Sequence, residues 1–219
     1  MSNQKPRIGV DLDNVLFDFT PAFCEYSNAE FGTDLTSYSY HEHWAKIWGQ
    51  NDELLPHNEL MDRWHYMIGE KFFEKILPIK NAAEILRRLK ELGYELVVLT
   101  TRSANNPADD KEIRRQTRDS LSRDFSGIFD EIHFLGIWKG ADQEKGHQIT
   151  KSELFDKLNL DYLIDDQTKH VNAINASGEP RGILFGSFAH QEDAAPNTPH
   201  FDSWNDDLLK YFENKINGR

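Results

Sequence analysis

The chain has 219 residues, 38% hydrophobic and 28% charged, which fits one folded domain or a core with a single insert and excludes a disordered polymer. Asp and Glu number 37 against 25 Lys and Arg, and the net charge of −12 opposes broad contact with nucleic acid or anionic lipid. The lone cysteine, Cys24, excludes an internal disulfide and suits a reducing compartment.

No apolar run approaches the roughly 20 residues that a spanning helix needs, so no membrane partner is expected. The N-terminal stretch MSNQKPRIGVDLDNV carries aspartates inside its only apolar segment. It does not read as a signal peptide, and a cytoplasmic location is expected.

In chain order, Arg7–Leu12 is a short apolar run ending in acids and predicts a buried strand. Val15–Phe31, with Phe17, Phe19, Phe23 and Tyr26 among polar residues, predicts a helix. Residues from about 33 to 70 are rich in Trp, Tyr and His and contain no valine, which favours a helical insert over more sheet. After Pro78, Asn81 and Glu84 form a capping-box pattern, Ile85, Leu86, Leu89 and Leu92 line one face, and Gly93 stops the helix. Strand Tyr94–Thr100, helix Asp109–Leu121, strand Asp130–Leu135, helix Ser152–Leu158 and strand Asp161–Ile164 follow. Helix Gln167–Ala176, strand Arg181–Phe185 and an amphipathic helix Trp204–Ile216 complete the chain. Gly136–Gln148 and Gln191–Asp202 read as surface loops. The alternation predicts an α/β fold, a Rossmann-like parallel sheet with helices on both faces. A small helical cap, residues 18–77, would interrupt a core made of residues 1–17 and 78–219.

In such sheets ligands sit at the carboxyl ends of the strands. The first strand ends in Asp11 and Asp13, the second in Thr100 and Thr101, and the fourth in Asp165 and Asp166, with Lys151 opening the helix before it. Four carboxylates gathered in a small site repel one another and call for a cation. A hard divalent ion with oxygen ligands, Mg²⁺, is the natural choice. A phosphate on that ion would find donors in Thr100, Thr101 and Lys151. One carboxylate free to attack phosphorus and another to carry the proton complete a site for phosphoryl transfer. A single D-x-D commonly caps a helix and a single T-T commonly makes a turn; the joint pattern at successive strand ends carries the argument.

These residues, DLDNVLFDF (11–19), VVLTTR (97–102), Lys151 and LIDD (163–166), resemble the haloacid dehalogenase-like superfamily over nearly the whole chain. The resemblance implies that Asp11 is the nucleophile forming an aspartyl-phosphate and Asp13 the general acid/base. It also implies that Asp11, the Asp13 carbonyl and Asp165 hold Mg²⁺ with Asp166 in support, that Thr100 binds phosphate, and that Lys151 neutralises it.

A narrower resemblance is to 5'(3')-deoxyribonucleotidases. It rests on D-x-D-x-V-L-x-D-F, Phe72–Phe73 ahead of Pro78–Ile79, LIDD, FGSFAHQ (185–191) and FDSWNDD (201–207). It implies that Phe19, Tyr66 and Phe72 clamp a nucleobase and that Thr101 is a second phosphate contact. Two departures stand out: Asn14 replaces the usual glycine after D-x-D, and Gly136–Leu160 is longer than expected. That family takes its lysine from the helix after the second strand, where this chain has Lys111, whereas Lys151 sits as in the wider superfamily and is preferred.

The remaining features carry less. His41, His43, His57 and His65 lack a cysteine or a defined second pair for zinc. Trp44, Trp48 and Trp64 face either substrate or the insert's own core, which the spacing of 44 and 48 favours, and Arg102 either reaches substrate or pairs with a surface acid. The run Lys111–Arg118 reads as a solvated helix face. The expected activity is Mg²⁺-dependent hydrolysis of a small phosphomonoester, a (deoxy)nucleoside monophosphate first and a sugar phosphate second. A catalytically silent binding protein is the rival from another class. The oligomeric state is left open, a homodimer among the options.

Overall fold

The structure is a computed structural model that describes residues 5–36, 55–104, 106–135, 146–147, 149–186 and 191–218. Among these residues the strands β1 (Arg7–Val10), β2 (Glu95–Thr100), β3 (Glu131–Leu135), β4 (Gly146–His147), β5 (Tyr162–Asp165), β6 (Gly182–Phe185) and β7 (His200–Phe201) form one seven-stranded sheet. Its order is β4-β3-β2-β1-β5-β6-β7 and every pairing is parallel. The expected α/β fold is thus found. From β1 the chain builds outward through β2, β3 and β4, then returns to the other side of β1 at β5. This reversal opens a crevice at the carboxyl ends of β1 and β5, where open parallel sheets bind ligands.

Strand periodicity divides the core into two faces. Ile8, Val10, Leu96, Val98, Ile164 and Ile183 point to one face, together with α4 (Ala82–Glu91) and α8 (Asp206–Asn217). Val97, Leu99 and Leu163 point to the other, against Leu154 and Phe155 of α6 (Lys151–Lys157) and Ile174 of α7 (Thr168–Asn175). Gly182 lets α7 close on β6: a Cβ there would lie 2.8 Å from the Val171 carbonyl oxygen.

Between β1 and α4 the chain makes an excursion containing α1 (Phe19–Phe31), α2 (His57–Gly69) and the short α3 (Phe72–Lys75). Its two arms lie side by side. Asp18 N–H donates to Leu77 O (3.0 Å), Ile79 N–H donates to Leu16 O (2.8 Å), and Phe17 bridges Pro78. Both α2 and α3 pack on α5 (Pro107–Asp124), which is started by Asn106 capping the Asp109 N–H and by Pro107 in the first turn.

Several boundaries differ from expectation. The helix predicted from Val15 begins at Phe19, because Leu12 O accepts the N–H groups of Leu16 and Phe17 and closes a tight turn there. Asn14 sits in that turn at φ +59°, a conformation asparagine tolerates better than most residues, and so it fills the place of the expected glycine. The predicted Asn81 capping box does not form: at φ +65° its side chain makes no cap and its amide reaches the Trp204 carbonyl at 3.4 Å. The two expected loops each contribute a two-residue edge strand, β4 and β7, too short to show any periodicity in sequence.

Candidate active site

Asp11 follows β1 directly, and its N–H donates to Ile164 O at 3.0 Å, which ties it to the end of β5. Asp165 is the last residue of β5 and Asp166 the next. All three carboxylates are buried, and each offers an oxygen within 4.8 Å of the others. Lys151 opens α6. Its position is set by a reciprocal cap in which the Thr150 hydroxyl accepts from Glu153 N–H and the Glu153 carboxylate accepts from Thr150 N–H. The Lys151 ammonium, itself buried, donates to Asp11 Oδ1 at 2.7 Å and Asp165 Oδ2 at 2.5 Å.

The electrostatics follow from this crowding. Burial pushes the Asp11 carboxyl well above its ordinary value, and Asp165, Asp166 and Asp13 push it further, against the pull of Lys151. Burial works against the Lys151 charge, but Asp11 and Asp165 outweigh it and hold the ammonium more firmly protonated than usual. A trio of buried carboxylates with a single ammonium remains short of positive charge. The donor set is all oxygen, as a hard divalent cation requires, so the residues present fit such an ion. The described histidines His57 and His65 join no metal-holding group; His65 instead pairs with Asp109 at 2.8 Å. His41, His43, Trp44 and Trp48 lie outside the described residues.

A cavity of about 550 Å³ opens over this cluster, walled by Asp11, Asp13, Lys151 and Asp166 on the sheet side. Thr101 faces it, whereas Thr100 is buried with its Oγ1 accepting the Arg102 N–H at 3.0 Å. Of the two lysines weighed, Lys151 lies against Asp11, and Lys111 is exposed on α5. Gln167, Lys169 and His170, where α7 begins, form one side of the cavity. Burial drives the His170 imidazole down to about 4, with Lys151 and Lys169 adding to the shift and Asp165 opposing it, so the ring is neutral at pH 7.

The opposite wall comes from the excursion: Phe19 of α1, Leu60, Met61 and Trp64 of α2, and Phe73. Of the aromatics expected to clamp a base, Phe19 lines the cavity, and Tyr66 and Phe72 lie outside its lining. Tyr66 lies two residues beyond Trp64, about 200° around the helix, and is 46% exposed with its hydroxyl donating to Glu30 at 3.2 Å. Phe72 is buried between Phe19 and Tyr26, with ring centroids 5.9 and 5.1 Å away. Their places are taken by Trp64 and Phe73, whose rings meet edge to face at 5.7 Å. The helical spacing of Leu60, Met61 and Trp64 was the available signal for this wall.

Two residues singled out in the sequence gain partners there that it did not indicate. Asn14 donates to Asp166 Oδ2 (3.1 Å) and accepts the Thr20 N–H (2.9 Å), linking the acid cluster to the start of α1 in a way a glycine would not. Arg102 turns out to pair with Asp13: Nε lies 3.0 and 3.1 Å from its two carboxylate oxygens and Nη2 2.5 Å from Oδ1.

No helix among the described residues is long and apolar enough to cross a membrane. No curated protein matches the chain. Solved structures share the fold at low identity. A haloacid dehalogenase-like hydrolase from Streptococcus pneumoniae is 14% identical with a TM-score of 0.62, over 95% of this chain and 98% of that one. A predicted phosphoglycolate phosphatase from Haemophilus somnus is 18% identical with a TM-score of 0.60, over 97% and 99%. CbbY from Rhodobacter sphaeroides, in complex with xylulose-1,5-bisphosphate, is 16% identical with a TM-score of 0.53, over 92% and 95%. Residues 5–131, more than half of the chain, match the model of a family described as 5' nucleotidase, deoxy (pyrimidine), cytosolic type C protein. The chain therefore belongs to this 5'-nucleotidase family and is a phosphatase of the haloacid dehalogenase-like fold.

Proposed function

We propose that the protein is a Mg²⁺-dependent phosphomonoesterase acting through an aspartyl-phosphate on (deoxy)nucleoside monophosphates. The observation that carries the substrate class is the aromatic wall of Phe19, Trp64 and Phe73 facing the acid cluster across one cavity. Flat rings grip a nucleobase by stacking without demanding its identity. Residues 18–77 act as a cap that closes over the site, excludes water and selects the substrate.

The carboxylates of Asp11, Asp165 and Asp166 and the backbone carbonyl of Asp13 would hold the divalent ion. When bound, the ion neutralises these acids and the phosphoryl oxygens. Lys151 favours the ionised form of Asp11 by direct contact, against the burial that opposes it, and offsets phosphate charge, with Thr100 and Thr101 as hydroxyl donors. Asp11 attacks phosphorus in line, forming the acyl-phosphate bond as the ester oxygen departs with a proton from Asp13. Asp13 then takes a proton from a water that attacks the same phosphorus, which returns Asp11 and releases inorganic phosphate.

A sugar phosphate is the second reading, favoured by the bisphosphate bound to the similarly folded CbbY. Phosphate release from a panel of nucleotides and sugar phosphates, with Mg²⁺ and with chelator, separates the two. Asp11→Asn is expected to abolish release and to remain folded; turnover by that variant would remove Asp11 as nucleophile. Hydrolysis of sugar phosphates alone would discard the aromatic wall as a base site.

A further inference from the structure

We infer that Arg102 is a positioning residue that aims the Asp13 carboxylate at the leaving oxygen, an inference that rests on the acid/base reading of Asp13 above. The Arg102 side chain is only 2% exposed, while that of Asp13 is 23% exposed at the cavity. The guanidinium is clamped between rings, 5.4 Å from the Phe17 centroid and 5.2 Å from that of Phe73, with Nη1 donating to Thr117 Oγ1 at 3.4 Å. Its Nε and Nη2 then hold Asp13 in a fork.

The direction of constraint follows from this burial. An exposed Arg–Asp pair orders little, because both side chains are free to move. Here the cation is buried between two rings, and its planar fork imposes an orientation on a short side chain that stands at the cavity edge. Arg102 follows the end of β2, Thr117 belongs to α5, and Phe73 comes from the excursion, so three separate elements converge to set one carboxylate. Phe73 also walls the cavity, so its ring serves both the substrate side and the clamp on Arg102. A lysine carries the same charge but cannot reproduce the fork.

The test is a double-mutant cycle of Arg102→Met and Asp13→Ala, read as kcat/KM on two esters. An alkyl ester such as a deoxynucleoside 5'-monophosphate needs a proton on its leaving oxygen, whereas p-nitrophenyl phosphate releases a stable phenolate and needs little help. Arg102→Met is expected to lose on the order of 100-fold on the alkyl ester, the usual consequence of a misplaced group, and far less on the p-nitrophenyl ester. The double variant should be no worse than Asp13→Ala alone, because Arg102 acts through Asp13. Arg102→Lys should recover only part of the loss.

Additive losses, or an equal fall on both esters with a raised KM, would overturn the inference and make Arg102 a direct phosphate ligand. Intact alkyl-ester turnover in Asp13→Ala would instead remove the acid/base reading itself, and the inference with it. Should Arg102→Met fail to fold, Arg102→Gln, which keeps an N–H donor, goes through the same cycle.

Discussion

Replacing Lys151 with methionine tests the electrostatic account of the acid cluster without reference to any substrate. The ammonium contacts Asp11 at 2.7 Å and Asp165 at 2.5 Å in a buried setting, and Asp166 lies close by. Methionine is close in length to lysine, so little packing is lost and the change is chiefly one of charge. Removing one partner of a buried ion pair costs about 3–5 kcal/mol, because the remaining charges stay desolvated. Two unit charges at 4.8 Å, the separation within which these carboxylate oxygens lie, repel by roughly 3.5 kcal/mol at an effective dielectric of about 20, which gives the same scale. For a chain of this size each kcal/mol moves Tm by about 2–4 °C, so Lys151→Met should melt roughly 6–20 °C lower in chelator.

Two conditions should reverse that loss. Saturating Mg²⁺ supplies the missing positive charge, and binding at 100 times Kd contributes about 2.7 kcal/mol, with a larger increment expected in the variant than in the parent. Acid should also help. The folded-state Asp11 carboxyl titrates above its unfolded value, so its contribution is present in full below the unfolded value and is lost as pH rises through the folded one. The chelated variant should therefore suffer less at pH 5 than at pH 8. Calorimetric melts across these conditions decide the matter. A variant melting within 2 °C of the parent in chelator at pH 8, or an equal Mg²⁺ increment in both proteins, would refute the reasoning.

Other predictions follow from single residues. Trp64→Ala should raise KM for nucleotides about tenfold or more, consistent with roughly 1–3 kcal/mol of base stacking, and Tyr66→Ala should leave KM unchanged; equal effects would misplace the aromatic wall. The depressed His170 imidazole contributes at most about 3 kcal/mol of stability that is present above pH 6.5 and lost as pH falls toward 4. His170→Gln should flatten urea-denaturation stability across that window, and an unchanged slope would exclude this source. Gly182→Ala should cost about 1–3 kcal/mol by equilibrium unfolding, because the added methyl meets the Val171 carbonyl at 2.8 Å; a neutral result would mean that α7 moves aside freely.

Much of the core was legible in the sequence because buried strands are apolar runs bounded by polar chemistry. Asp11, Thr101 and Asp165 sit where such runs end, and a parallel sheet puts those ends on one edge. What the sequence left open depends on rotation and distance. Trp64 and Tyr66 are nearly adjacent in sequence and face opposite ways, so which of them lines the cavity depends on helical phase, which matching positions to a family does not follow. The Arg102–Asp13 fork spans 89 positions and leaves no local trace. The Lys151 site did have a signal, the T-x-x-E of Thr150 and Glu153, which places the lysine in the first turn of α6. The capping pattern at Asn81 looked equally sound and failed, because the backbone there turned left-handed.

The excursion between Phe17 and Pro78 leaves and rejoins the sheet through arms bonded to each other, Asp18 to Leu77 and Ile79 to Leu16. Its ends are therefore held a strand's width apart whatever lies between them. The entropy of closing such a loop grows slowly, by about 0.6 kcal/mol for each doubling of length. Insertions in the intervening segment that leave Thr20, Phe73 and the packing of α2 and α3 on α5 in place are cheap for the remainder of the chain. Asp11, Lys151 and Asp165, set by the sheet and by α6, do not register such changes. Evolutionary drift in what the protein accepts and retention of what it does to phosphate can thus proceed largely on separate parts of one polypeptide, which meet at these paired arms and where α2 and α3 rest on α5.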